Sequence, residues 1–212
     1  MILLTGFEPF GGESTNPSWL AAQRAADLLT AQGREAVAVE VPCVFGRSIE
    51  VLEDALAQFE PVIVLCVGQA GGRGSVSLER VAINVDDARI PDNAGNQPID
   101  EPVVASGPAA YFSTLPVKAC REAVAGLGIP VEVSQTAGTY VCNHLFYGLM
   151  DLLEDRRGTR GGFVHVPFSP EQGAAHGRPG LAVEAMAEAL ALIAVTTAET
   201  AVDARVTAGA EH

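Results

Sequence analysis

Two hydrophobic periods alternate along this chain. Ile2 to Thr5, Pro61 to Val67 and Gly161 to Pro167 are short apolar runs, and Ala36 to Val41 and Val131 to Ser134 are alternating, valine-bearing ones. Between them lie segments with apolar residues every three or four positions: Leu20, Ala21, Ala25, Leu28 and Leu29; Ile49, Leu52, Leu56 and Phe59; Leu115 to Leu127; Leu145, Leu149, Leu152 and Leu153; and a last stretch from about Pro179 to near Thr200. The first period predicts strands and the second helices. Asn16-Pro17 is a helix start, with an N-cap followed by proline at the first helical position. Pro61 to Val67 is apolar at every position, as expected of a strand covered on both faces. Strands alternating with helices predict an α/β fold, a three-layer α/β/α single domain with a largely parallel, mixed, twisted sheet. We read residues 1–200 as that domain and 201–212 as a frayed C-terminal tail. Residues 76–90 read as extended. Residues 91–115, rich in Pro, Gly and Asp, read as a long ordered excursion of the kind that usually serves function.

The chain has 212 residues and a formal net charge of -13, with no run of Lys or Arg. That balance argues against a nucleic acid or an anionic membrane as partner. No apolar run reaches membrane-spanning length. Met1 to Leu4 is too short for the apolar part of an export signal, so a cytoplasmic location is expected. The four cysteines, Cys43, Cys66, Cys120 and Cys142, are widely spaced. They form no CxxC pair, which argues against a zinc or dithiol site, and free thiols are expected. No metal or other cofactor is called for.

In parallel α/β sheets ligands collect at the carboxyl ends of the strands, and Cys142 falls there, at the start of a helix that follows a strand. The helix N-terminus offers unpaired N–H groups and a positive dipole end, which lower a thiol's pKa and can hold an oxyanion. The same residue also reads as a small buried hydrophobe. A cysteine nucleophile needs a base and the base an orienting group. His144 is two residues from Cys142 on the same helix and faces elsewhere; it reads as a partly exposed or packing histidine. His212 lies in the tail, and His176 in a Gly-rich loop. His165, in a strand two residues before Pro167, is favoured over His176 on placement. Glu79 is the candidate orienting acid. In residues 79–85 the odd positions share one face of a strand, so Glu79 lies in line with Val81, Ile83 and Val85, and a carboxylate buried there needs a partner. A structural pair with an arginine is the competing reading. The loop from Gly68 to Ser75 matches neither the phosphate-loop nor the dinucleotide fingerprint. Its single cation, Arg73, leaves a phosphate- or nucleoside-handling enzyme on a similar scaffold as the alternative.

Eight blocks of this sequence resemble the pyroglutamyl peptidase I family of cysteine peptidases. They are Gly6-Phe-Glu-Pro-Phe-Gly-Gly12, Asn16-Pro17-Ser18, Glu79-Arg-Val-Ala-Ile-Asn-Val85, Asp87-Ala-Arg-Ile-Pro-Asp-Asn93, Asp100-Glu-Pro102, Ala110-Tyr-Phe-Ser-Thr-Leu-Pro116, Thr136-Ala-Gly-Thr-Tyr-Val-Cys-Asn143 and Gly162-Phe-Val-His-Val-Pro167. They run in order over roughly residues 1–200. The resemblance implies a cytosolic, metal-independent enzyme that removes N-terminal pyroglutamyl residues from peptides, commonly as a homotetramer. It implies a triad of Glu79, Cys142 and His165. Pyroglutamate is an uncharged lactam, so its pocket should combine apolar walls with neutral hydrogen-bonding groups. By resemblance Phe7, Phe10, Tyr140 and Val141 are wall candidates, and Asn16 and Gln69 polar candidates. Arg89 is a candidate for orienting the substrate or the transition state. Ordinary packing for Phe7 and Phe10, the N-cap for Asn16 and a salt bridge to Asp86 or Asp92 for Arg89 are the structural alternatives.

Overall fold

The computed structural model describes residues 1–209. The strands are β1 (Ile2–Phe7), β2 (Ala36–Val41), β3 (Ile63–Gln69), β4 (Val76–Glu79), β5 (Val81–Ile83), β6 (Ala110–Phe112), β7 (Val131–Ser134) and β8 (Arg160–Val166). The helices are α1 (Pro17–Ala31), α2 (Arg47–Phe59), α3 (Val117–Gly126), α4 (Val141–Leu153), α5 (Pro170–His176) and α6 (Val183–Glu199). Six strands form the main sheet in the order β2-β1-β3-β8-β4-β7, and β5 pairs with β6 apart from it. The run β2-β1-β3-β8 is parallel. β4 is antiparallel to β8 and parallel to β7. The expected α/β/α domain with a largely parallel mixed sheet is therefore what the chain forms.

The pleat sorts the apolar residues into two cores. Leu4, Leu65, Val164 and Leu78 face α1, α3 and α6. Leu3, Val64, Cys66 and Phe163 face α2 and α4. Residues with the same parity as this second set, among them Gly68, Ser77, Glu79 and His165, belong to the α4 face. Asn16 starts α1 as expected: its Oδ1 accepts from the Ser18 N–H and Oγ–H, and its Nδ2 donates to the Glu8 carbonyl.

Three local expectations change. Residues 170–176, read as loop, form α5 because Ser169 and Gln172 close a capping box with Pro170 in the first turn. The last helix begins at Val183, not near Pro179. Residues 79–85 are not one strand. The chain breaks at Arg80, whose N–H bonds the Ser134 carbonyl and whose carbonyl accepts from Ser113. Beyond it Ala82 is buried and Val81 and Ile83 are half-buried, so the inward face switches from odd to even positions. Glu79 is buried because β4 is covered on both sides, not because it shares a face with Val81 and Ile83.

The excursion is pinned by polar side chains. Asp92 accepts from the N–H groups of Phe45, Ala94 and Asn96. Asn84 exchanges hydrogen bonds with Val104. Asn143 in α4 grips residue 83 by both its N–H (3.0 Å) and its carbonyl (2.8 Å), completing β5 as a neighbouring strand would. Residues 201–209 carry no helix or strand, yet Asp203 accepts from the Lys118 and Ala119 N–H groups at the start of α3. His212 lies outside the described residues.

Candidate active site

α4 starts without a side-chain cap, its N-cap Tyr140 being extended. Gly138, at φ 82°, supplies the turn that brings the chain from β7 into that helix. The first helical N–H groups, those of Val141, Cys142 and Asn143, have no acceptor among the described residues; the next, of His144, bonds the Tyr140 carbonyl. Cys142 is half-buried and free. Its sulfur lies against Gly68: a first side-chain carbon at position 68 would sit 2.8 Å from Sγ and 2.8 Å from the Phe163 ring. Glycine is required there by close approach, because any Cβ would displace the sulfur.

Gly68 is the register partner of His165 on the adjoining strand. Paired residues of parallel strands point to one face, about 4.8 Å apart. Sulfur and imidazole therefore share the α4 face at the carboxyl ends of β3 and β8. Glu79 reaches the same face from β4, and its Oε1 lies 2.7 Å from His165 Nδ1. Glu79 is 0% exposed and His165 4%. A carboxylate so placed accepts, so Nδ1 carries the proton and Nε2 offers a lone pair. Among the described residues no hydrogen bond links that nitrogen to the sulfur of Cys142.

Burial dominates the electrostatics. The Cys142 thiol is pushed well above its ordinary value, first by desolvation, then by the neighbouring Cys43 and Glu79, with Arg73 opposing. The His165 imidazole is pushed down by desolvation, against the pull of Glu79. Both shifts favour the uncharged forms, thiol and imidazole. The lowering expected from the helix start is opposed here by enclosure against Gly68 and Phe163.

The arginine in this site is Arg73, not Arg80. Its Nη1 lies 2.7 Å from the same Oε1 of Glu79, and its Nη2 donates to the Thr136 carbonyl at 3.0 Å. The cation of the Gly-rich loop is thus engaged by a carboxylate, which removes the charge a phosphate site would have needed. Arg80 reaches the Ala208 carbonyl instead.

The other predicted residues divide. Phe10 and Tyr140 are half-buried with ring centres 6.4 Å apart, and Phe45 packs edge-on to Tyr140 at 5.5 Å. Phe7 is buried and meets Phe163 at 6.5 Å, beneath the sulfur. Val141 is fully buried in the core beside α2. Asn16 is buried with its amide engaged in the α1 cap. Gln69 is buried, its Oε1 has no partner, and strand alternation turns it from the face that carries Cys142. Arg89 is exposed and makes neither suggested salt bridge, because Asp86 pairs with His144 and Asp92 with backbone.

His144 is buried rather than partly exposed, its Nδ1 2.7 Å from Asp86 Oδ2 and its Nε2 accepting from the Gly46 N–H at 2.8 Å. His176 pairs with Glu13, on α5. Cys43, Cys66 and Cys120 are buried, and burial raises their thiols to about 12, about 12 and about 11. Sequence reasoning missed Arg73 as a partner of Glu79, and Asn143. The only signal for either was an unexplained polar residue beside a glycine or a cysteine.

A family model described as pyroglutamyl peptidase matches residues 1–202. The pyrrolidone-carboxylate peptidase of Klebsiella pneumoniae is 51% identical over 212 residues, covering 100% of this chain and 99% of its own. The crystal structure of pyroglutamyl peptidase I from Bacillus amyloliquefaciens superposes with a TM-score of 0.92 at 48% identity, over 97% of this chain and 98% of that one. A mutant pyrrolidone carboxyl peptidase from the hyperthermophile Pyrococcus furiosus gives 0.87 at 38% identity, over 93% and 98%. With full-length identity near one half and a shared fold, this chain belongs to the pyroglutamyl peptidase family.

Proposed function

We propose that this protein is a cysteine peptidase that removes N-terminal pyroglutamyl residues from peptides through a thioester, with Cys142 as nucleophile, His165 as base and acid, and Glu79 as orienting group. One observation carries the assignment of roles. Cys142 Sγ rests on Gly68, the register partner of a histidine whose Nδ1 is held by a buried carboxylate and whose Nε2 is unoccupied.

Because burial favours the neutral form of both groups, the proton moves as the bond forms. The Cys142 S–H proton passes to His165 Nε2 while sulfur attacks the pyroglutamyl carbonyl carbon. The oxyanion takes hydrogen bonds from the unpaired N–H groups at the start of α4. Collapse expels the peptide amine, which takes the proton from Nε2. Water, deprotonated by Nε2, then attacks the thioester, and the sulfur regains its proton as pyroglutamate leaves. The missing sulfur–imidazole hydrogen bond is no obstacle, since such contacts often tighten only with substrate bound.

The lactam needs apolar walls and uncharged partners. Phe10 and Tyr140 form an aromatic pair at the start of α4, Phe7 packs on Phe163 in the core, and Val141 is buried at the helix end. Gln69 has a free Oε1 but points to the other face of the sheet, Asn16 shapes the loop after β1, and exposed Arg89 is an available cation. Among the described residues no cluster of His, Cys, Asp and Glu is arranged to hold a metal, and no helix is long and apolar enough to cross a membrane. A homo-oligomer, with four copies by family resemblance, is supported by the exposure of Phe112 (69%) and Ile99 (73%).

Cleavage of pyroglutamyl-naphthylamide by the wild type and by Cys142→Ala tests the reading. Turnover is expected to vanish in the variant with the fold intact, and retained turnover would overturn the reading. Prolyl-naphthylamide, which lacks the lactam carbonyl, should be disfavoured by about 10⁴-fold.

A further inference from the structure

The buried carboxylate of Glu79 faces two nitrogen donors, but through one oxygen. His165 Nδ1 and Arg73 Nη1 each stand 2.7 Å from Oε1, while Oε2 is buried without a partner. Arg73 comes from the glycine-rich loop after β3, and its second nitrogen holds the Thr136 carbonyl in the loop that leads into α4. One guanidinium therefore ties the loop after β3 to the acid and to the loop that leads to the sulfur, and touches the base only through Glu79 Oε1. We propose that Arg73 is a positioning residue for the reaction: it fixes Glu79 Oε1 against His165 and fastens the loop before Cys142 to the end of β3. This rests on the triad reading given above.

The chemistry favours arginine here. A carboxylate with no solvent contact is costly unless its charge is compensated and its lone pairs used. Neutral imidazole supplies one N–H and no charge, and Arg73 supplies the charge. Only a planar fork can reach carboxylate and carbonyl at once. The position also sets what the site can do near neutrality. The charged and titratable groups around the imidazole are Glu79 from β4, Arg73 from the β3–β4 loop and Cys142 from α4, with Cys43 behind the sulfur. Of these only Arg73 is a fixed cation. It discourages a second positive charge on His165, keeping Nε2 free to accept a proton, and it favours negative charge on the sulfur. The arrangement sacrifices some basicity of His165 and gains a base that is not already protonated.

The test compares wild type, Arg73→Gln and Arg73→Lys by pH–rate profiles on pyroglutamyl-naphthylamide, and by NMR titration of the His165 ring. In Arg73→Gln the acid limb of kcat/KM and the NMR midpoint should both move up by about one pH unit. Rate should fall about 10- to 100-fold, mainly in kcat, with KM nearly unchanged. Arg73→Lys should restore the midpoint, because the charge returns, but only part of kcat, because the Thr136 contact does not. A midpoint unchanged in Arg73→Gln, or kcat within twofold of wild type, would overturn the proposal. The NMR midpoint is read without turnover, so it judges Arg73 even if Cys142→Ala were to disprove the triad.

Discussion

Two histidines in this molecule look alike until their second nitrogen is considered. His144 and His165 are 5% and 4% exposed, and each sets Nδ1 at 2.7 Å from a buried carboxylate, Asp86 and Glu79. Each carboxylate leaves one buried oxygen without a partner. But Nε2 of His144 accepts the Gly46 N–H, so its lone pair is spent in joining α4 to the start of α2. Nε2 of His165 faces the layer that holds the sulfur and has no partner among the described residues. A buried histidine–carboxylate pair is therefore not by itself a sign of chemistry. The free lone pair, on the face of a nucleophile, is what separates a base from a brace.

Removing each ring breaks the comparison most sharply. His165→Asn should lower kcat/KM for pyroglutamyl-naphthylamide by about 10³- to 10⁴-fold, near 4 to 5.5 kcal/mol of barrier, with the denaturation midpoint little changed. His144→Asn should do the reverse. It strands the Gly46 N–H and the Asp86 carboxylate, costing about 2–4 kcal/mol of stability while folded molecules keep their turnover. Equal rate losses in the two variants, measured on material shown to be folded, would erase the distinction. The carboxylates should follow their partners with smaller effects. Glu79→Gln leaves the ring in place but removes the charge that stabilises the imidazolium, so kcat should fall by about 10²-fold or more. Asp86→Asn should show mainly as a lower midpoint in urea, of about 1–2 kcal/mol.

The sequence distinguished the two histidines only in part. Hydrophobic period located β2 and β7 to the residue and α1, α2, α4 and β8 within a residue or two, because each is a local pattern terminated by a cap, a proline or a glycine. It also separated His144 from Cys142, since residues two apart on a helix diverge. What it could not supply was partnership. The pairing of Glu79 with His165 crosses 86 positions, and that of His144 with Asp86 crosses 58. Glu79 was reached by a phase argument that fails at Arg80, where Ser113 and Ser134 take the backbone and the strand ends. Glu79 is buried because it lies in a sheet covered on both sides, which the burial of β4 reveals and its four residues do not. The lowering of the Cys142 pKa expected at the start of α4 meets an opposing effect for a related reason. A helix terminus is visible in sequence, whereas the strand and rings that desolvate the sulfur come from β3 and β8.

The smallest expected effect is on stability against pH, and it sharpens the comparison because it needs no substrate. Burial lowers the folded-state pKa of His165 below its ordinary 6.5. Above pH 6.5 the ring is neutral whether the chain is folded or not, and contributes its full share. As pH falls through 6.5 the unfolded chain takes up a proton that the folded site resists, so stability is lost, until the folded pKa is passed and the loss levels off. One proton corresponds to about 1.4 kcal/mol per pH unit at most, which bounds the decline expected between pH 6.5 and 5.5. Urea denaturation at pH 7.5, 6.5 and 5.5 should show that decline in the wild type and a shallower one in His165→Gln, which carries no ionisable ring. Identical slopes would mean that the imidazole beside Glu79 accepts its proton as readily as one in water. The neutral resting pair, and with it the order of proton transfer assigned to Cys142 and His165, would then have to be abandoned.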